Sequence, residues 1–257
     1  MSSDLIAIEI ADLTKNFGNL KAVNKLNLRV RRGEIFGFLG PNGAGKTTTI
    51  RLMTGLLQPT SGTVKIIGKD IQKNPIDAKK NIGLVPEQPQ IYEKLTGIEF
   101  LKFMGNLFEI EKNEINKKIK ELLKLFDLTD RGEELIQSYS HGMRQKIAIA
   151  GALIHSPKVL FFDEPTVGLD PRSAKILKDI LKFRAKSGDC IFMSTHILEI
   201  AERICDRVGI INNGKLIATG NMDELRRISK EDNGNLEEIF LQLTGGDEVL
   251  DVVEFLT

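Results

Sequence analysis

Residues 34–53 read EIFGFLGPNGAGKTTTIRLM, and the order of their properties decides the fold. The apolar run EIFGFLG has the length of a short buried strand, and KTTTIRLM after the glycines reads as the start of a helix. Between them, Gly40, Gly45, Lys46 and Thr47 satisfy G-x-x-x-x-G-K-[ST] in the strand–loop–helix context that the pattern requires. Gly43 and Gly45 let backbone amides close on phosphate oxygens. Lys46 reaches the β/γ oxygens, and Thr47 offers its hydroxyl to Mg²⁺. The candidate triphosphate cradle is therefore Gly40, Pro41, Asn42, Gly43, Ala44 and Gly45, continued by Lys46, Thr47 and Thr48.

A second segment completes the chemistry. In KVLFFDEP, residues 158–165, an apolar strand ends in two adjacent carboxylates, at the edge where open α/β sheets place ligands. Asp163 is placed to hold the Mg²⁺ shell, and Glu164, one residue further toward substrate, to polarise an attacking water. A phosphate loop with an acidic strand leaves kinase, GTPase, helicase and transporter motor open. No NKxD sequence offers guanine recognition, which disfavours GTP.

A third stretch, SYSHGMRQK at 138–146, holds another anion device. Ser140 can cap a helix start whose outward amides face a phosphate.

The remaining pattern is that of one large α/β domain with an insert. LIAIEI and KAVNKLNLRV alternate as two strands joined by a loop, KNFGNL. TVKIIG and NIGLV read as further strands, with GKD a turn and the helix of the cradle running to about Leu57. From Thr96 to His155 the period becomes helical: Thr96 and Glu99 have capping-box spacing, and Phe100, Leu101, Phe103, Met104 and Leu107 recur at helical intervals. After Pro157, strands KVLFF, CIFMS and RVGII alternate with helices from Pro171 and from near His196, which favours a parallel sheet. NNG closes a hairpin with KLIA. NMDELRRIS and LEEIFLQL read as short helices, and VLDVVEFLT has partly helical spacing.

Bulk properties exclude several classes. In the 257 residues, 36 Lys+Arg face 35 Asp+Glu, so the formal charge of +1 offers no general surface for nucleic acid or an anionic bilayer. Cys190 and Cys205 are too few for a disulfide framework, which points to a reducing compartment. His141, His155 and His196 are scattered, and without HExxH or CxxC no structural zinc is expected. MSSDLIAIEI lacks the basic start and unbroken apolar stretch of a signal peptide. The longest apolar run, IAIAGALI, is far short of the ~18 residues of a membrane span, so the chain is expected to be soluble, with any membrane role coming through a partner.

In this order the motifs resemble the ATP-binding cassette (ABC) family over about the first 230 residues. The family signature, usually LSGGQ, corresponds to YSHGM at Tyr139–Met143: Ser140 and Gly142 keep the anion-facing positions, while Tyr139, His141 and Met143 depart from the commonest form. That variant, with the LEEIFLQLTGG tail, is similar to the subset whose membrane subunits are ABC-2-type, often exporters. The resemblance implies an α/β P-loop NTPase core, a mixed sheet flanked by helices, with an antiparallel β subdomain. Residues 1–230 would be the cassette, with a helical subdomain inserted at about 88–156, and 231–257 a short tail.

It also implies an ATPase using ATP and Mg²⁺, seated at the cytoplasmic face of the membrane as a peripheral subunit. Its partners would be an integral membrane transporter subunit and a second ABC cassette, in a homodimer or heterodimer, with no nucleic acid. Two cassettes of the family face each other head to tail, so Ser140, His141, Gly142 and Met143 would cap ATP held by the partner, and this chain's two phosphate devices would serve different nucleotides. By the same resemblance Phe17 stacks on adenine, Asp170 is the D-loop contact to the partner, and His196 in MSTH bonds the γ-phosphate. Either Glu87 or Gln88 fills the glutamine-loop position. Tyr92, Phe100, Phe103 and Phe108 lie where a membrane subunit would dock. The alternatives are a non-transport ABC ATPase and an ATP-gated assembly module.

Overall fold

The computed structural model describes residues 5–166, 168–229 and 234–245; the VLDVVEFLT segment lies outside them. Strands β1 (Ile6–Phe17) and β2 (Leu20–Arg31) form an antiparallel pair. The loop expected at residues 15–20 contracts to a two-residue turn, with Gly18 at φ 56°, because Lys15, Asn16 and Phe17 continue the ladder opposite Val23, Lys21 and Leu20. This end of the hairpin is solvated, so it pairs without the apolar alternation that marks the rest. The next strands are β3 (Ile35–Leu39), β4 (Ser61–Ile66) and β5 (Lys69–Asp70), the last paired with β4 where the sequence reads as a plain turn. Strands β2-β1-β4-β5 make the antiparallel sheet.

The second sheet uses β6 (Ile82–Val85), β7 (Val159–Asp163), β8 (Cys190–Ser194), β9 (Arg207–Asn212) and β10 (Lys215–Gly220), in the order β10-β9-β3-β8-β7-β6. All its pairings are parallel except the β9–β10 hairpin. Its central strands β3, β7 and β8 are buried end to end, and alternate residues enter different cores. Phe36, Phe38, Phe161 and Phe192 share one core with the antiparallel sheet, with ring centroids of the other three 5.2–5.7 Å from that of Phe192. Leu160, Phe162, Ile191 and Met193 face the other core, against the helices.

Helix α1 (Lys46–Met53) stops before the expected Leu57, where Gly55 turns at φ 66° and Thr54 Oγ1 donates to the Ile50 carbonyl. A short helix α2 (Pro75–Lys79), absent from the sequence reading, begins on its proline. Helices α3 (Gly97–Leu107), α4 (Lys112–Leu125) and α5 (His141–Leu153) intervene between β6 and β7, which are direct neighbours in the sheet. The Thr96–Glu99 capping box is formed in both directions. Helices α6 (Pro171–Lys186), α7 (Leu198–Ile204), α8 (Met222–Ser229) and α9 (Leu236–Thr244) follow. Both cysteines are free, and burial pushes their thiols up, that of Cys205 to about 12. No helix among the described residues is long and apolar enough to cross a membrane.

His155 seals the seam between the end of α5 and β6. Its ring stacks on Phe108 with centroids 3.6 Å apart, and Nε2 lies 2.9 Å from the Ile82 carbonyl oxygen. Burial first, then the nearby Lys118 and Arg184 charges, lower its pKa from 6.5 to about 4, against the opposing pull of the Ile82 carbonyl. The folded chain therefore holds this ring neutral where the unfolded chain protonates it. The associated stability is complete above pH 6.5 and is lost as pH falls toward 4, at no more than about 1.4 kcal/mol per pH unit. Chemical unfolding of the wild type and of His155→Gln at several pH values checks this: the stability difference between them shrinks across that window, whereas parallel pH profiles would remove His155 as the cause.

Candidate functional site

Three strand ends at the carboxyl edge of the parallel sheet supply the site. Gly40 follows β3, Asp163 ends β7, and His196 follows β8. A cavity of about 690 Å³ brings them together with Phe17, Pro41, Asn42, Gly43, Ala44, Gly45, Lys46, Thr47, Thr48, Glu87 and Glu164. The whole expected cradle lines one space, as does Glu87, while Gln88 is outside its lining.

The loop geometry explains its glycines. A Cβ on Gly40 would run into the Ile211 carbonyl oxygen, and one on Gly45, at φ 109°, into that of Ala22. At Gly43, with φ 80°, a Cβ would have no protein atom within 4 Å, so its α-carbon borders open cavity. Gly45 is the N-cap of α1, so the first amides of that helix, with no acceptor inside it, present donors and the positive end of its dipole. Lys46 Nζ donates to the Gly40 carbonyl at 2.6 Å and approaches that of Pro41 at 3.3 Å, which holds the ammonium over the loop.

The acidic pair is buried. Asp163 Oδ1 accepts from Ser194 Oγ at 2.5 Å across the β7–β8 register, the one side-chain hydrogen bond of this carboxylate among the described residues. Glu164 has positive φ, 52°, an uncommon conformation for a residue with a side chain and one that functional sites retain at a cost of about 1–3 kcal/mol. Its amide donates to the Ser194 carbonyl at 3.2 Å, and its Oε2 lies 2.9 Å from His196 Nδ1 and 3.3 Å from the His196 amide. With its proton on Nδ1, His196 donates to Glu164 and keeps Nε2 for a second partner. Thr47 and Asp163 are hard oxygen donors on one cavity, a set that fits Mg²⁺ bound by one or two protein groups plus substrate phosphates. No group of three or more His, Cys, Asp or Glu able to hold a metal occurs among the described residues, so the fit is to a shared ion and not to a protein cage.

The second anion device is a different place. Ser140 caps α5, accepting from the Met143 amide at 3.3 Å. Tyr139 is buried with its hydroxyl on the Arg131 carbonyl at 2.7 Å, and burial raises its pKa. Arg144 ties the helix start down through the Tyr139 and Gln137 carbonyls and Glu93. Neither Ser140, His141, Gly142, Met143 nor Asp170 lines the cavity. They adjoin one another instead: Gly142 and His141 pack on Gly168, and Lys146 pairs with Asp170 at 3.3 Å. Asp170 caps α6, and hydrogen bonds from Ser173, then Lys146, hold its carboxyl well below the usual range.

Two of the four expected docking aromatics face solvent. Tyr92 and Phe103, 60% and 40% exposed, meet edge to face at 5.2 Å. Phe100 is core, and Phe108 is committed to His155. The sequence reading missed Leu20, Lys21, Ala22, Thr195, Leu198, Asn213, Gly214 and Phe240, which also line the cavity. Asn213–Gly214 carried a local signal as a hairpin turn. Phe240 carried none beyond its place in a short amphipathic helix.

A protein-family model described as ABC transporter matches residues 23–167, more than half the chain. Bacitracin transport ATP-binding protein BcrA of Bacillus licheniformis is 41% identical over 225 residues, 87% of this chain and 72% of that protein. Among solved structures, an ATP-binding subunit of an ABC transporter superimposes with a TM-score of 0.89 at 32% identity, covering 92% of this chain and 99% of the other. A dimeric bacterial ABC transporter cassette matches with a TM-score of 0.77 at 26% identity, covering 84% and 98%.

The two glycines of the loop make separable demands. Gly45→Ala, strained and blocked by backbone, is expected to lower both thermal stability and nucleotide binding. Gly43→Ala meets no protein atom, so it should cost only about 1 kcal/mol for its positive φ while weakening ATP binding on the order of tenfold. Thermal melts beside ATP titrations check this; equal losses of stability in both variants would contradict it.

Proposed function

The chain belongs to the ABC transporter family as an ATP-binding subunit, and on that premise we propose which residues perform its ATP hydrolysis and what it assembles with. Residues 40–48 hold the triphosphate, with amides of the α1 start and Lys46 balancing its charge. Thr47 and Asp163 would hold Mg²⁺, which when bound would supply positive charge against the triphosphate. Glu164 orients the attacking water toward the γ-phosphorus and accepts its proton, its carboxylate aimed by the contact from His196. With a second proton, on Nε2, His196 also donates to the γ-phosphate. Phe17, 48% exposed at the cavity with Lys15 Nζ 5.1 Å from its ring centroid, stacks on adenine. Glu87 takes the glutamine-loop role.

One observation carries the reading: the chain's own capped helix start, at Ser140, is absent from the lining of its own phosphate cavity. A second cassette supplies that group, so Ser140 and Gly142 of each chain complete the site of the other, with Asp170 at the interface. ABC ATP-binding subunits dimerise and work with membrane subunits. Here the membrane subunit is an integral protein docking at Tyr92 and Phe103, and the chain sits at the cytoplasmic face. Residues 1–230 form the cassette with the 88–156 helical subdomain inserted, and 231–257 its tail. The YSHGM signature and the LEEIFLQLTGG tail, similar to those of the subset whose members are often exporters, support export.

Glu164→Gln tests the assignment, because it keeps the size and the His196 contact while removing the base. Phosphate release is expected to fall roughly 10²–10⁴-fold with ATP binding retained, and ATP should then trap a dimer on size-exclusion chromatography. Undiminished turnover would remove Glu164 from the role of base.

A further inference from the structure

Helix α9 reaches the nucleotide cavity from the far end of the sequence. Its start is fixed by a capping box: the Glu238 amide donates to Asn235 Oδ1 at 2.9 Å and the Asn235 amide to Glu238 Oε2 at 3.0 Å. Its apolar anchors, Leu236 and Ile239, are fully buried in one cluster with Leu39, Ala201 and Ile210. Leu39 immediately precedes Gly40 of the phosphate loop, and Ala201 lies in the helix that follows His196. At the other end of α9, Asn212 Nδ2 donates to the Thr244 carbonyl at 3.5 Å, next to the Asn213–Gly214 turn of the cavity wall.

Leu236 and Ile239 are the buried anchors of the helix, and Phe240 and Leu243 pack, partly buried, against the same cluster. Phe240, the next residue, is only half-buried and lines the cavity with Leu198, so the space holds two aromatic side chains: Phe17 from the antiparallel sheet and Phe240 from the C-terminal helix. A ring half in water at the rim of a ligand cavity gains when a ligand covers it. Whatever ATP gains from that ring, the docking of α9 gains from ATP, because coupling between two equilibria is reciprocal.

We propose that Phe240 is a nucleotide-contacting residue and that α9 docks more tightly when ATP is bound, which makes the C-terminal helix part of the nucleotide site. This rests on the reading of the cavity as the ATP site and adds to it an element that carries none of the phosphate-binding motifs.

Hydrogen exchange on the full chain, with and without saturating ATP, reads the docking directly: amides of residues 239–244 are expected to slow severalfold with ATP. In Phe240→Ala the KM for ATP should rise about fivefold, more than kcat changes, with Phe240→Leu recovering part of the loss, and the ATP-dependent slowing should diminish. If the wild type hydrolyses ATP but α9 exchange is indifferent to it, or if Phe240→Ala keeps the wild-type KM, the proposal is overturned while the site reading stands. Failure of the wild type to bind ATP overturns both.

Discussion

The register of three parallel strands governs everything at the site. Phe38 of β3 and Asp163 of β7 both pair with Ser194 of β8, so the phosphate loop, the acidic pair and His196 leave the sheet at one level. Strands with parallel ladders and both faces buried cannot slip by one residue without turning Phe36, Phe161 and Phe192 out of their core. The aromatic core thus sets where Lys46, Glu164 and His196 stand relative to one another. Ser194 reinforces it by bonding the Asp163 carboxylate and the Glu164 amide.

Glu164 occupies the junction between two devices. On one side its carboxylate meets His196. On the other, residues that follow it bear on the start of α5: Gln145, fully buried, approaches the Pro165 carbonyl at 3.4 Å, His141 and Gly142 pack on Gly168, and Lys146 pairs with Asp170. On the proposed reading, a chain that offers Ser140 to a neighbour's nucleotide is braced, within a few residues, against the carboxylate proposed as its own base. In the proposed dimer this contiguity would give a physical route by which the state of one nucleotide bears on the other, through packed groups rather than distant charge.

What the sequence made legible was local. EIFGFLGPNGAGKTT and KVLFFDEP each carry strand, break and chemical groups within one short stretch, so spacing alone places them. Ser140 was readable as a cap for the same reason. What escaped depends on contacts far apart in the chain. The positive φ of Glu164 follows from its docking on Ser194, the two-residue turn at Gly18 from ladder pairs at a solvated strand end, and the commitment of Phe108 to His155 from how α3 meets α5. Phe240 is the extreme case: 200 residues separate it from Gly40, and only the packing of α9 on Leu39 and Ala201 brings it to the cavity.

In the proposed dimer one chain cradles the triphosphate and another supplies the capping helix. Mixing two inactive variants, Lys46→Ala and Ser140→Arg, examines it most directly. In a homodimer each mixed pair retains one intact composite site, so an equal mixture is predicted to recover roughly a quarter of the wild-type ATPase rate, half the pairs being mixed and each having one working site of two. Absence of recovery at every mixing ratio, or an unpaired chain hydrolysing ATP at full rate however far it is diluted, would contradict the account.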